Sequence, residues 1–468
     1  MKREALMRTP WLPLVLLAIF VTVMGVSFAP EIVSGERTSM PDLSNRPLDN
    51  LWITNERVLH LEAVGDLLYI VGWFDRVGPH TGLAAPFNTN NGALLPNFPR
   101  LDGDWNADVR AIVPDGSGGW YIGGEFLTVD GMPLRNLAHI HADYSLDQTW
   151  KPDPNGPVYA LLVSDGTLYV GGDFTTIGEQ ERQRIVALDV DTGALTSWNP
   201  AADSTVRAMA VSGNALYVGG YFQQIGGEPR AYAAALDRAN GQVSDWNPLS
   251  NGPVLTMVVS GTTVYAGGYF SQIGWRSRTS IAALDATTGQ ALNWSAGLSG
   301  SYPTVSALTV SGNTVYVGGY FERVNNSLCA HLVFLDANTG SVRRCPGVDA
   351  DGGVYALALS GDTLYVGGRF AGIAGQPRTH LAALDASTGA VKEWNPAPDC
   401  PVRALVLGGD TLYAGGCFRS SAMLLRDGLA AIHIPDGRPT TWTPPDIGGG
   451  ECAVLCHQRH HHLHRRRF

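Results

Sequence analysis

Short apolar runs alternate with clusters of Gly, Asn, Asp and Ser along most of the chain. Runs such as "VRAMAVSG" from Val206 and "ALYVGGYF" from Ala215 are bounded by turn residues on both sides. This pattern predicts strands joined by tight turns. No stretch keeps the 3.6-residue period of an amphipathic helix. From Val206 on, four strands follow one another: those two runs, "AYAAALD" from Ala231 and "QVSDWNP" from Gln242, separated by "SGN", "QQIGGEPR" and "DRANG".

The element apolar-Gly-Gly-x-Phe recurs eight times. It reads "IVGWF" at Ile70, where Trp73 stands in place of the second glycine, then "YIGGEF", "YVGGDF", "YVGGYF", "YAGGYF", "YVGGYF", "YVGGRF" and "YAGGCF". From Tyr121 on, the tyrosines are spaced 48, 48, 48, 51, 49 and 48 residues apart. A fixed period of 40–50 residues marks a propeller or solenoid, and four strands per period is a propeller blade. The reading is therefore all-β: an eight-bladed β-propeller of four-stranded antiparallel blades over residues 48–446, with seven blades plus an irregular unit as the alternative. The glycine pairs read as places where one backbone approaches another. Each Phe, and the Trp at 105, 150, 198, 246, 294, 394 and 442 (Cys345 replaces it once), reads as filler between blades. Trp52 looks like an additional fourth strand that latches the ring.

Composition changes the picture in three places. The net charge of −10 argues against nucleic-acid binding. Lys2, Arg3 and Arg8 precede the apolar run Trp11–Ala29, which reads as a signal peptide or N-terminal membrane anchor over residues 1–29, followed by a linker over 30–47. The Cys/His/Arg-rich residues 447–468 read as a disordered tail. In an exported protein the remaining cysteines are disulfide candidates. Cys400 and Cys417 lie nine and eight residues either side of Gly409, opposite each other on one hairpin, and Cys329 and Cys345 flank another turn.

"GGEFLTVDGMPLRNLAHIHADYSLDQTWKPDPNGPVYAL", Gly123 to Leu161, resembles the delta-60 repeat of exported bacterial β-propellers. That resemblance implies a secreted or cell-surface propeller and assigns no catalytic residues. "LYVGG" resembles the double-glycine strand of kelch propellers. "AALDASTGAVKEW", Ala382 to Trp394, resembles the docking motif of eight-bladed quinoproteins, but the adjacent cysteine pair of quinoprotein dehydrogenases is missing. No cofactor is expected.

Candidate chemistry concentrates on the face carrying the longer loops. Asp203, Asp351 and Asp399 precede first strands, and Arg135, Arg182, Arg230, Arg278, Arg378 and Arg426 open third strands; these read as a structural ring of turn caps and Arg–carboxylate pairs. The second residue of each first strand varies: Arg110, Tyr159, Arg207, Tyr355 and Arg403 alternate with Leu59, Leu255 and Ser306. Arg and Tyr together suit an anion or a sugar, so these five are the candidate ligand-binding residues at the channel mouth. His139 and His141 read as surface residues, and no metal site is expected. No nucleophile elbow, zinc-protease motif or phosphate loop is present. The function expected is that of an exported or cell-surface binding scaffold, monomeric, with a protein or glycan partner and membrane contact only through an uncleaved N-terminus. The alternatives are an extracellular polysaccharide lyase or hydrolase, and a non-catalytic quinoprotein-like assembly module.

Overall fold

The computed structural model of the protein describes residues 76–346 and 351–420, with the strands Trp52–Thr54, Val58–Val64, Leu67–Gly72, Leu424–Leu425 and Leu429–His433. The N-terminal apolar run, Arg426, Trp442 and the Cys/His tail lie outside the described residues. Every regular element described is a strand, gathered into small antiparallel sheets of two to four strands in a propeller-like arrangement.

The repeat sets one local pattern. In unit 4, Val206–Ser212 pairs with Ala215–Gly220, which pairs with Ala233–Asp237. Units 3, 5 and 7 repeat this, with first strands Val158–Ser164, Val254–Ser260 and Val354–Ser360. The register slips by one residue between Val206 and Ala208, leaving Arg207 as an unpaired bulge. The same slip occurs at Arg110, Tyr159, Leu255, Ser306, Tyr355 and Arg403. A bulge bends the strand and re-aims one side chain.

The two glycines of each pair do different work. The second lies against its own first strand: a Cβ on Gly220 would stand 2.2 Å from the Thr205 carbonyl oxygen. The first faces the next unit. A Cβ on Gly219 would stand 2.9 Å from Cγ1 of Val254, the residue that opens the following first strand. Gly123 meets Val158 in this way, Gly171 meets Val206, Gly267 meets Val305, Gly318 meets Val354 and Gly367 meets Val402. The succession returns to its start, because Gly415 meets Val109. The first strands of units 2 to 8 likewise lie side by side in order, and that of unit 8 lies against that of unit 2.

Polar latches reinforce each seat. The Tyr217 hydroxyl donates to the Ala286 carbonyl of the next unit at 2.6 Å, and Trp246 Nε1 donates to the Asp285 carbonyl at 3.0 Å. Tyr217 and Trp246 also meet edge to face, 5.1 Å apart. Trp150, Trp198, Trp246, Trp294 and Trp394 are buried, as are Phe126, Phe174, Phe222, Phe270, Phe321, Phe370 and Phe418.

Three details depart from the repeat reading. First, the fourth strand is mostly a single bridge, such as Leu236 to Val243, because the "WNP" segment leaves the sheet after the turn; among the described residues only Val342–Arg344 forms a full fourth strand. Second, the third strand of unit 8 comes from the other end of the chain. Ala84–Asn88 pairs with Thr411–Gly416, while Leu429–His433 pairs with Leu67–Gly72 of the first hairpin. The Trp52–Thr54 strand pairs with Arg76–Pro79 and is not this latch. Third, Trp105 is 94% exposed. It lies four residues before Val109, whereas the buried tryptophans mostly lie eight before their valine. Phe98 packs on Tyr413 instead, with ring centroids 5.9 Å apart. The first hairpin also aligns differently from its sequence reading: Gly72 holds the second-glycine register, and Val71 holds the first.

The seat between units is therefore a steric requirement. Gly267→Ala places a Cβ 2.4 Å from Val305 Cγ1 and should lower stability by about 1–3 kcal/mol. Adding Val305→Ala should restore part of that loss, as read by urea denaturation of the two variants and the double variant.

Candidate functional site

Seven of the bulged residues line one cavity of about 260 Å³. Arg110, Tyr159, Arg207, Tyr355 and Arg403 are brought together there, with Leu255 and Ser306 completing the lining. Below them the wall is small and apolar, with Ala111, Ala160, Ala208, Ala307, Ala356 and Ala404 following the bulge residues. The bulge explains why these positions vary in sequence: their side chains are turned out of the packed sheet interface.

The Arg and Tyr residues form a continuous arc. The Arg207 guanidinium sits over the Tyr159 ring at 4.3 Å, Arg110 approaches the same ring at 5.8 Å, and Arg403 lies 5.0 Å from the Tyr355 ring. Asp108 joins the two halves. It is 2% exposed, lies 3.1 Å from Arg110 Nη2 and forms an ion pair with Arg403. Burial pushes the Asp108 carboxyl up to about 6, against the pull of the two arginines, with Glu125 adding to the rise. Burial likewise draws the Arg110 guanidinium below its ordinary value. Arg110, Arg207 and Arg403 make the cavity lining positive on a chain whose net charge is −10.

Asp108 did not stand out in the sequence because other units carry Pro, Thr or Gly at its register. A second missed set is the variable residue of Gly-Gly-x-Phe. Tyr221, Tyr269 and Tyr320 occupy it in three successive units, each 45–52% exposed, at the same end of the unit as the bulge. Variation inside an otherwise constant motif was the available signal for the tyrosines.

The loop-face ring is mainly a set of backbone caps. Asp203 Oδ1 accepts from the Gln223 amide at 2.8 Å, Asp351 from the Ala371 amide at 2.8 Å and Asp399 from the Arg419 amide at 3.0 Å. Most of the arginines bond carbonyls and not carboxylates. Arg230 donates to Ser244, Arg278 to Leu292 and Arg378 to Lys392 at 2.8–3.0 Å, tying the loop to the segment before the buried Trp. Arg182 donates to the Glu181 carbonyl and to Gln180, and among the described arginines of this set only Arg135 pairs with a carboxylate, Asp153 at 3.1 Å. In unit 6 Cys329 holds the arginine register and Cys345 the tryptophan position, and a disulfide joins them with Cα atoms 5.0 Å apart. Cys400 and Cys417 form a second disulfide, Cα atoms 5.5 Å apart. His139 is buried, not a surface residue.

Residues 145–396, more than half of the chain, match the family model of the outer membrane protein assembly factor BamB, and the chain belongs to that family. The resemblance is thus to propellers of the quinoprotein type, and nothing singles out the delta-60 repeat. No curated protein matches the chain. Among solved structures, the computationally designed Ika8 protein is 17% identical, with 69% of this chain and 98% of that one covered at a TM-score of 0.40. The Pan2 WD40 domain of Neurospora crassa is 12% identical, with 66% and 89% covered at 0.41. A chain of the mitotic checkpoint complex is 16% identical, with 70% and 92% covered at 0.46. At these TM-scores the likeness adds nothing to the fold described above.

The Asp108 carboxyl sits above its unfolded value of 3.8, so the folded chain holds that proton more tightly than the unfolded chain. Its contribution to stability is full below about pH 4 and is lost as pH rises to about 6. Asp108→Asn should flatten this part of the pH–stability profile, measured by denaturant unfolding at half-unit steps from pH 4 to 7.

Proposed function

We propose that the protein is an exported binding scaffold whose seven units, 2 to 8, close into a seven-bladed propeller, in place of the eight blades expected from the repeat count. The return of the Gly–Val seat from Gly415 to Val109 supports that closure, as does the packing of Phe98 on Tyr413. Val71 at the first-glycine register supports leaving the first hairpin outside the seven. Its ligand is an acidic glycan, with anionic groups in the arginine-lined cavity and sugar rings stacked on the tyrosines of the rim. The single observation that carries this reading is the convergence of Arg110, Arg207 and Arg403, each beside a tyrosine, on one cavity. Three guanidiniums with one tied carboxylate suit recognition of an anion. Glycoside hydrolysis uses two separated carboxylates, which this lining does not present.

A second reading has one observation in its favour. The matching family is described as an assembly factor, which fits a protein-docking role on the same face. A sulfated or uronic-acid oligosaccharide that binds wild type separates the two readings, because a protein-docking face has no need of it.

Arg207→Ala with Arg403→Ala should weaken binding of such an oligosaccharide by roughly 100-fold, read by calorimetry at pH 7. Unchanged affinity would sink the proposal. Protonating Asp108 removes the negative charge paired with Arg110 and Arg403, so wild-type affinity should rise as pH falls through about 6. Asp108→Asn should bind at pH 7 as wild type does at pH 5, without that pH dependence. Export rests on the basic and apolar N-terminus and the two disulfides. Residues 1–47 fused to an alkaline phosphatase reporter should yield active enzyme outside the cytoplasm, and an inactive reporter would count against export.

A further inference from the structure

Unit 2 departs from its neighbours at three positions that meet in space. His139 pairs with Tyr121 at the register where Ala187 pairs with Tyr169. His141 follows at the register of the turn residue Asp189. Asp147, whose amide bonds the His139 carbonyl, replaces Thr196, whose amide bonds that of Ala187. Three residues unable to ligate, or bound up in a turn, thus become two imidazoles and a carboxylate.

Their geometry converges. His139 Nδ1 lies 3.1 Å from Asp147 Oδ2, and His141 Nε2 lies 3.8 Å from the same oxygen. One ligand atom from each residue falls within 4.8 Å of the others. Nitrogens and oxygens around a tetrahedral zinc are roughly 3.3 Å apart, from bonds of about 2.0–2.1 Å. His141 is exposed and lies beyond the strand end, so it can close the remaining gap. Behind the cluster, His139 Nε2 lies 3.2 Å from Asp115 Oδ2. The Tyr121 ring stacks on His139 at 4.6 Å and fixes its plane.

The chemistry of His139 calls for a cation. A neutral imidazole offers one N–H and one lone pair, yet both of its nitrogens face carboxylates. A proton on the ring would satisfy His139 alone. A metal dication would use the Nδ1 lone pair, the Asp147 oxygen and the His141 lone pair together, and leave Nε2–H to donate to Asp115. A carboxylate behind a ligating histidine is the usual second support of a bound metal. We propose that His139, His141 and Asp147 bind a first-row transition dication of the zinc type, with Asp115 orienting His139 and the fourth position left to water or an exogenous ligand.

The test is zinc titration of the full chain by calorimetry at pH 7.5, wild type beside His141→Ala. The tail carries five histidines from His457 to His464, so the comparison between variants, and not the total, is decisive. Wild type should take up one more equivalent than His141→Ala, whose melt in EDTA should match wild type because the side chain is exposed. Cobalt should give a tetrahedral visible band in wild type that loses one equivalent of intensity in the variant. Asp115→Asn should keep the stoichiometry and lose 10- to 100-fold in affinity. Equal zinc uptake and equal cobalt spectra in wild type and His141→Ala would overturn the site and leave His139 as a hydrogen-bonding bridge between Asp115 and Asp147.

Discussion

The structure depends on one steric contact, a bare glycine α-carbon receiving the valine that opens the next unit. Seven copies of this contact set how closely neighbouring sheets approach. Interiors packed to crystal-like density transmit such a spacing to everything around it. At that distance the tyrosine hydroxyl reaches the next unit's turn carbonyl, and the tryptophan N–H reaches the carbonyl beside it. Each latch is modest alone, and most units repeat it.

The same constraint separates scaffold from site. Residues in the seat, the latch and the loop caps have little freedom, and they are nearly the same in every unit. The bulge residue is turned out of the interface and is free to differ. Arg, Tyr, Arg, Leu, Ser, Tyr and Arg therefore occupy equivalent backbone positions with unrelated side chains. Because equivalent positions converge on one cavity, variation along the sequence becomes asymmetry in space, with a cationic arc on one side and Leu255 and Ser306 on the other. Asp108 tunes that arc from within, since its burial brings its titration near neutral pH.

Unit 6 illustrates how a repeat tolerates loss. Its arginine clamp and its tryptophan are both absent, and a disulfide between Cys329 and Cys345 joins the same two segments. Unit 2 differs in the opposite sense, adding His139, His141 and Asp147 where unit 3 carries Ala187, Asp189 and Thr196. Both departures leave the glycine seat intact.

The sequence by itself determined the strand class, the period and the constant residues, because turn chemistry, strand alternation and the glycine–aromatic motif are local and repeat every ~48 residues. It also pointed to Arg110, Tyr159, Arg207, Tyr355 and Arg403, since variability at one fixed offset is visible without coordinates. Tertiary structure alone decided which segments complete a sheet. Ala84–Asn88 and Leu429–His433 both fit a third-strand pattern, and only long-range pairing assigned the first to unit 8 and the second to the first hairpin. It also decided that Phe98 and not Trp105 packs on Tyr413, and that Asp108 lies between two arginines from opposite ends of the chain. Each of these is a contact between distant residues, set by the packing of whole units, which no local pattern encodes.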